Sequence, residues 1–264
     1  MSLIVALMFA FIQSIALAQK TSESKIQAYD AEPFNTGLLE VPSSAYMGHD
    51  PYSLAKGLQG RPEKDPYETS AQYQEKLDLW LNEPLYGSVR IGDTIAIHVP
   101  FLSLQRSYDA DTEILTFSFD PKKVSTEDPR TPYLTTKYDK KILKVANGQT
   151  AMGVKFKYER QAIDEFGVKL DNFNIYATDP KFTIKVSPDD AKKHLLWDVL
   201  FVGKLSKPYY FSEKSYHGPT LLERYEQLVT SRGIVFTIDE IVIYTTGKNP
   251  QVIARIPFKY VPPN

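Results

Sequence analysis

Four histidines, His49, His98, His194 and His217, are the first residues to question for catalysis or metal binding. None has a second histidine at helical or ribbon spacing, and the chain has no cysteine, so neither a zinc motif nor a thiolate site can be assembled from neighbouring residues. Asp109, Asp111 and Glu113 place carboxylates on alternate positions, as a calcium loop does. They lack the later glycine and the distant glutamate of that loop, and the flanking residues alternate as strands do, so a hairpin turn is expected. Gly-x-Ser-x-Gly is absent, and Ser215 with His217 is a proximity in sequence, not a triad. The thirteen glycines form no phosphate-cradling loop. No cofactor and no metal are expected. The densest aromatic cluster is Tyr209, Tyr210 and Phe211 after Lys207-Pro208, with Tyr216 close by. Aromatic faces stack on sugars and anchor partner proteins, so these four residues are the candidate binding surface.

The elements that position these residues read as follows. Thr69 is a helix N-cap with Gln72 at the capping-box position, and Tyr73, Leu77, Trp80 and Leu81 draw an apolar stripe down the helix that follows. Asn82, Pro84 and Gly87 stop it. From Tyr86 onward the pattern is β: Ile95, Ile97 and Val99 alternate with polar or small residues, and Ile114 to Phe119 follow the turn at Tyr108-Asp109-Ala110-Asp111-Thr112. Val154 to Tyr158 and Val168 to Tyr176 read as two strands paired across a turn at Asp164-Glu165-Phe166-Gly167. Ser187-Pro188-Asp189-Asp190 opens a short helix expected to run to about Leu196. An apolar strand, Trp197 to Leu205, follows. A third helix is expected to start at Pro219 or Thr220, with Leu221, Leu222, Tyr225, Leu228 and Val229 on one side and Gly233 after it. A hairpin of Ile234–Tyr244 and Val252–Phe258 closes the chain. Strands outnumber helices, so the fold class is α+β, β-rich, with a mostly antiparallel sheet or sandwich and two or three short helices.

Residues 1–18 read as a signal peptide. Leu3 to Ile12 is an apolar run of signal-core length, and Ala16-Leu17-Ala18 supplies the small residues a signal peptidase reads, so cleavage is expected between Ala18 and Gln19. No Lys or Arg precedes the run, which leaves room for a start upstream. Residues 19–63, with Pro33, Pro42, Pro51 and Pro62 spaced along them, read as an extended polar arm or linker, with Leu38, Leu39, Val41, Tyr46 and Tyr52 as the residues that could pin it onto the domain, and residues 64–264 as the β-rich domain. Net charge is −1 with both signs interspersed, which argues against a nucleic-acid partner. No later apolar run is long enough for a membrane span.

Lys64-Asp65-Pro66-Tyr67-Glu68-Thr69-Ser70-Ala71-Gln72-Tyr73 and Tyr108-Asp109-Ala110-Asp111 resemble two recurring segments of uncharacterised, signal-peptide-bearing proteins of Gram-negative bacteria. The segment Ala191–Leu205 is similar to a third. The resemblance covers the chain from Lys64 onward and implies a periplasmic or secreted address, but it carries no reaction and no catalytic residue. Two readings stay open. One is a non-catalytic binding or interaction module whose partner is an envelope protein or glycan. The other is a hydrolase acting on envelope carbohydrate or peptide, with Asp109 and Asp111 as its acids.

Overall fold

A computed structural model describes residues 29–43, 45–99, 104–119, 122–123, 132–173, 181–193, 197–246 and 249–258. The expected leader, His194, and the strand end at Ile175 and Tyr176 lie outside them. The described elements are, in chain order, α1 (Pro51–Leu58), α2 (Ser70–Leu81), β1 (Ile95–His98), β2 (Leu104–Asp109), β3 (Ile114–Phe119), β4 (Lys122–Lys123), β5 (Pro132–Gln149), β6 (Lys155–Leu170), β7 (Lys181–Lys185), α3 (Pro188–Ala191), β8 (Trp197–His217), β9 (Tyr225–Thr245) and β10 (Val252–Pro257). The larger sheet runs β1-β8-β9-β6-β5-β4, with β10 beside the C-terminal half of β9. The smaller runs β2-β3-β7. Among the described residues every strand pairing is antiparallel except that of β6 with β9. The fold is therefore β-rich α+β and mostly antiparallel.

Alternation builds the main core. Ile95 and Ile97 of β1, Val199 and Phe201 of β8, and Val168 and Leu170 of β6 point one way and meet Leu115, Phe117 and Phe119 of β3. On β9 the inward set changes parity, from Ile234, Phe236 and Ile238 to Ile241 and Ile243. The cause is a bulge: Val202 pairs with Glu240 but Gly203 with Ile238, so Asp239 is one residue extra on β9. Gly203 is required there, because a Cβ would overlap the Thr237 carbonyl.

The opposite face is covered by the segment from residue 29 to Gly48, part of the expected arm, which docks there with Val41 and Tyr46 among its anchors. Phe34, Val41 and Tyr46 are buried against Ala96, Leu200, Val202, Val242 and Tyr244. The Tyr244 hydroxyl donates to the Tyr46 carbonyl at 2.8 Å, and the Tyr46 hydroxyl donates to Asp30 at 3.1 Å. Burial raises both phenols well above their ordinary pKa, so both remain donors. His49 is fully buried: its Nδ1 accepts from the Ala96 N–H at 3.0 Å, and its Nε2–H donates to the Glu32 carbonyl at 2.9 Å. That histidine is structural. Composition hides the docking because a few anchors, not a periodic pattern, carry it.

Two other expectations change. Asp164-Glu165-Phe166-Gly167 is the middle of one strand, β6, rather than a turn between two. Its polar residues have partners on β9: Arg232 donates to both Asp164 oxygens at 2.8 and 2.6 Å, and Ser231 donates to Glu165 at 3.3 Å. The helix expected to start at Pro219 or Thr220 and to stop before Gly233 is instead a turn followed by the first part of β9. Its helical spacing is overridden by pairing on both sides, with β6 over Tyr225–Phe236 and with β8 from Gln227 on. The capping box at α2 is present, with the Gln72 N–H donating to Thr69 Oγ1 at 3.3 Å and the Thr69 N–H to Gln72 Oε1 at 3.0 Å. Ser187 caps α3, which is a single turn ending at Ala191.

Candidate functional site: a groove beside helix α1

Asp50 and Pro51 start α1 as an N-cap and a first-turn proline, and the Tyr52 and Ser53 N–H groups donate to the Asp50 carboxylate. Leu54, Ala55 and Leu58 recur at helical spacing and bury against the sheet. Burying each leucine is worth about 1.5–3 kcal/mol, against about 0–1 kcal/mol for an exposed ion pair, so the leucines set where α1 sits. Its remaining face, with Tyr52, Lys56 and Gln59, becomes one wall of a groove.

The floor comes from the sheet where its apolar rows give way to polar ones. Lys137 pairs with Phe166 across β5–β6, and Phe166 with Arg232 across β6–β9, so the three side chains share a face. Tyr210 of β8, paired with Ile234, belongs to that face too. Tyr52 packs edge-on to Phe166 with centroids 5.3 Å apart, and Lys137 Nζ lies 5.5 Å from the Tyr52 ring centre. The hydrogen bond to Asp164 raises the pKa of Arg232, which stays a cation. This central hollow encloses about 270 Å³.

Two further hollows adjoin it. One, of about 480 Å³, shares Gln59 and Tyr210 with the first and adds Arg61, Tyr73, Trp80 and Tyr209. The other, of about 250 Å³, shares Tyr52, Lys137 and Phe166 and adds Tyr29, His49 and His98. His98 Nε2 stands 3.2 Å from Asp198 Oδ2, an ion-pair distance. Together the hollows make an elongated channel along α1, lined by aromatic rings, amides and charges.

The bulge in β8 delivers Tyr209. Leu205 pairs with Phe236 and Tyr210 with Ile234, so Ser206, Lys207, Pro208 and Tyr209 stand opposite Val235 alone. Pro208 has no N–H for the ladder, which suits a bulge. Tyr209 takes φ +70°, a conformation costly for a bulky residue and held by its surroundings.

The aromatic cluster expected from sequence is thus divided. Tyr209 and Tyr210 line the groove. Phe211 is buried on the opposite face, edge-on to Tyr133 at 5.5 Å, because successive strand residues face opposite ways. Tyr216 lies exposed six residues beyond Tyr210, roughly 20 Å along the strand, and does not reach the groove. Tyr52 is marked by the sequence only as a docking anchor, and Lys137, Phe166 and Arg232 carry no local signal. The Asp50-Pro51 start and the Leu54, Ala55, Leu58 spacing were the signals that could have marked α1 and with it Tyr52.

Asp109 and Asp111 are exposed on the β2–β3 turn. Hydrogen bonding from Thr112, and then from the Asp111 and Thr112 amides, holds the Asp109 carboxyl below its ordinary pKa, opposite to the shift a general acid needs. No group of three or more His, Asp or Glu among the described residues is arranged to hold a metal ion. No helix among them is long and apolar enough to cross a membrane. No family model, curated protein or solved structure matches the chain.

Proposed function

We propose that this protein is a non-catalytic binding module of the bacterial envelope, periplasmic or secreted, that holds an extended glycan or peptide of an envelope partner in the groove beside α1. The observation that carries the reading is the channel of three adjoining hollows, with Tyr52, Tyr73, Trp80, Tyr209 and Tyr210 along it. Several aromatic side chains lining adjoining hollows suit a chain of repeating units, while the charged groups and amides among them orient its polar groups. Tyr209 supports the reading further, since backbone strain concentrates where a side chain must be aimed. The envelope address rests on the leader-like residues 1–18 and on the resemblance carried by Lys64–Tyr73. The hydrolase reading loses its candidate acids to the exposed hairpin turn.

The test places a photo-crosslinking amino acid at Tyr209, and separately at the exposed Tyr67 on the far side of α2, and exposes each protein to its host's envelope fraction. A glycan or protein joined at position 209 and not at 67, and lost in Tyr210→Ala, supports the groove. Equal capture at both positions, or capture undiminished in Tyr210→Ala, would falsify it. Tyr209→Gly separates aim from strain: binding should weaken about tenfold while the melting temperature holds or rises, because glycine accepts the positive φ.

A further inference from the structure

The two long hairpins project a second surface, independent of the groove. β6 runs parallel to β9 with Glu159 opposite Tyr225, so the β5–β6 turn at Thr150–Val154 and the β8–β9 turn at Gly218–Arg224 leave the ribbon at the same end. Exposed apolar side chains gather there. Met152 is 93% and Leu222 96% exposed, with Val154 and Leu221 also open to solvent. From Val145 to Val154 the chain carries no charge, nor does it from Gly218 to Leu222.

Cations stand behind the first turn, Lys155 and Lys157 next to it and Lys144 further back opposite Arg160. Lys144, Lys155 and Lys157 are exposed, and none has an ion pair among the described residues. Between Lys137 and Arg160 there are seven Lys or Arg and two Asp or Glu, a net +5 in a chain of net charge −1. At the end of the second turn Glu223 and Arg224 offset each other. An uncharged apolar tip with a lysine collar matches the layers of an anionic bilayer, acyl chains below and phosphates above. A second copy adding a strand to the open edge of β5 fits less well, because that edge carries Lys137, Lys140, Lys141 and Lys144 and two bulges. We propose that the paired turns insert into the interfacial layer of an anionic lipid membrane, with Lys144, Lys155 and Lys157 on the headgroup phosphates.

The chain has no cysteine, so Met152→Cys accepts a single environment-sensitive fluorophore. The mature chain from Gln19, labelled there, should show a blue shift with vesicles of phosphatidylcholine mixed with phosphatidylglycerol, and little with phosphatidylcholine alone. Replacing Lys144, Lys155 and Lys157 together by Glu should weaken vesicle binding about tenfold or more, and raised salt should weaken it likewise. Leu222→Gln should reduce it with the charges untouched. Circular dichroism checks each fold, and Lys→Gln replacements stand in for any Glu variant that fails to fold. No shift with either vesicle, an equal shift with both, or binding unchanged by the lysine and Leu222 variants would each overturn the proposal. So would capture of a purified anionic glycan by the same lysines without any vesicle response. Because Tyr210 lies outside the turns, Tyr210→Ala should leave vesicle binding intact, which separates this surface from the groove.

Discussion

At the scale of single residues, the close approach of β6 to β9 turns on glycine. A Cβ on Gly233 would overlap the Gly167 carbonyl, and one on Gly167 would overlap the Leu134 carbonyl. Gly233→Ala is therefore expected to destabilise by about 3 kcal/mol, a large single-residue effect, read as a lowered urea midpoint with unchanged slope. An undiminished midpoint would show that the strands can separate at no cost. Asp109 gives a pH-dependent counterpart. Its folded pKa lies below the unfolded value, so its contribution is present above the unfolded carboxylate range and is lost as pH falls through the lower folded pKa. Acidification below about pH 4 should expose the Asp111 and Thr112 amides to faster exchange, and Asp109→Asn should remove that dependence. Neither effect is visible in composition: the glycine needs a neighbour distant in sequence, and the aspartate needs its turn closed.

At the scale of elements, local chemistry and tertiary pairing had unequal reach. The start of α2 was legible because its cap is made within four residues, Thr69 to Gln72. Thr69→Ala should cost about 1 kcal/mol, seen as a small drop in melting temperature with the groove's binding kept. The β2–β3 turn was legible for the same reason, since Asp109 bonds its own neighbours. The N-terminal half of β9 was not. Leu221, Leu222, Tyr225, Leu228 and Val229 fit a helical stripe, and only the strands on either side make Tyr225–Phe236 extended. β6 was misread for a related reason. Polar residues in mid-strand read as a turn until Arg232 and Ser231, 68 and 66 residues away, are seen to answer them. In the ribbon that results, cross-strand polar pairs such as Gln161 with Gln227 at 3.0 Å and Lys169 with Glu213 at 3.2 Å take the place of an apolar core.

At the scale of the whole molecule, the segment from residue 29 to Gly48 acts as a strap over one sheet face. It bridges β1 through Gly48 with Ile97, and approaches β10 through Glu40 with Gln251. Arg255 ties it from the other side, donating to the Leu38 carbonyl at 2.9 Å. Removing residues 1–47 should uncover Leu200, Val202, Val242 and Tyr244 together. The shortened chain is expected to bind a hydrophobic dye and to lose its cooperative melt, whereas a chain beginning at Gln19 keeps both properties native. A sharp, unshifted transition in the shortened chain would show that the strap is dispensable. With the strap in place the molecule has two separate candidate surfaces, the groove beside α1 and the ribbon's far end.

The sequence by itself determined the β-rich class, the α2 cap, the β2–β3 turn and the closing hairpin of β9 and β10. Each depends on period-two alternation or on hydrogen bonds between residues a few positions apart, and both are written in local order. It also placed Tyr209 and Tyr210 among the residues worth testing, through aromatic density alone. Only the tertiary structure decided that Phe211 turns away, that Tyr216 belongs to the ribbon, and that Tyr52, Lys137, Phe166 and Arg232 join the groove. Those residues come from four elements spread between positions 52 and 232, brought to one face by strand register and by the burial of Leu54 and Leu58. Register is set by pairing along entire strands, and a single bulged residue reverses which side chains face inward, so no local pattern can encode it.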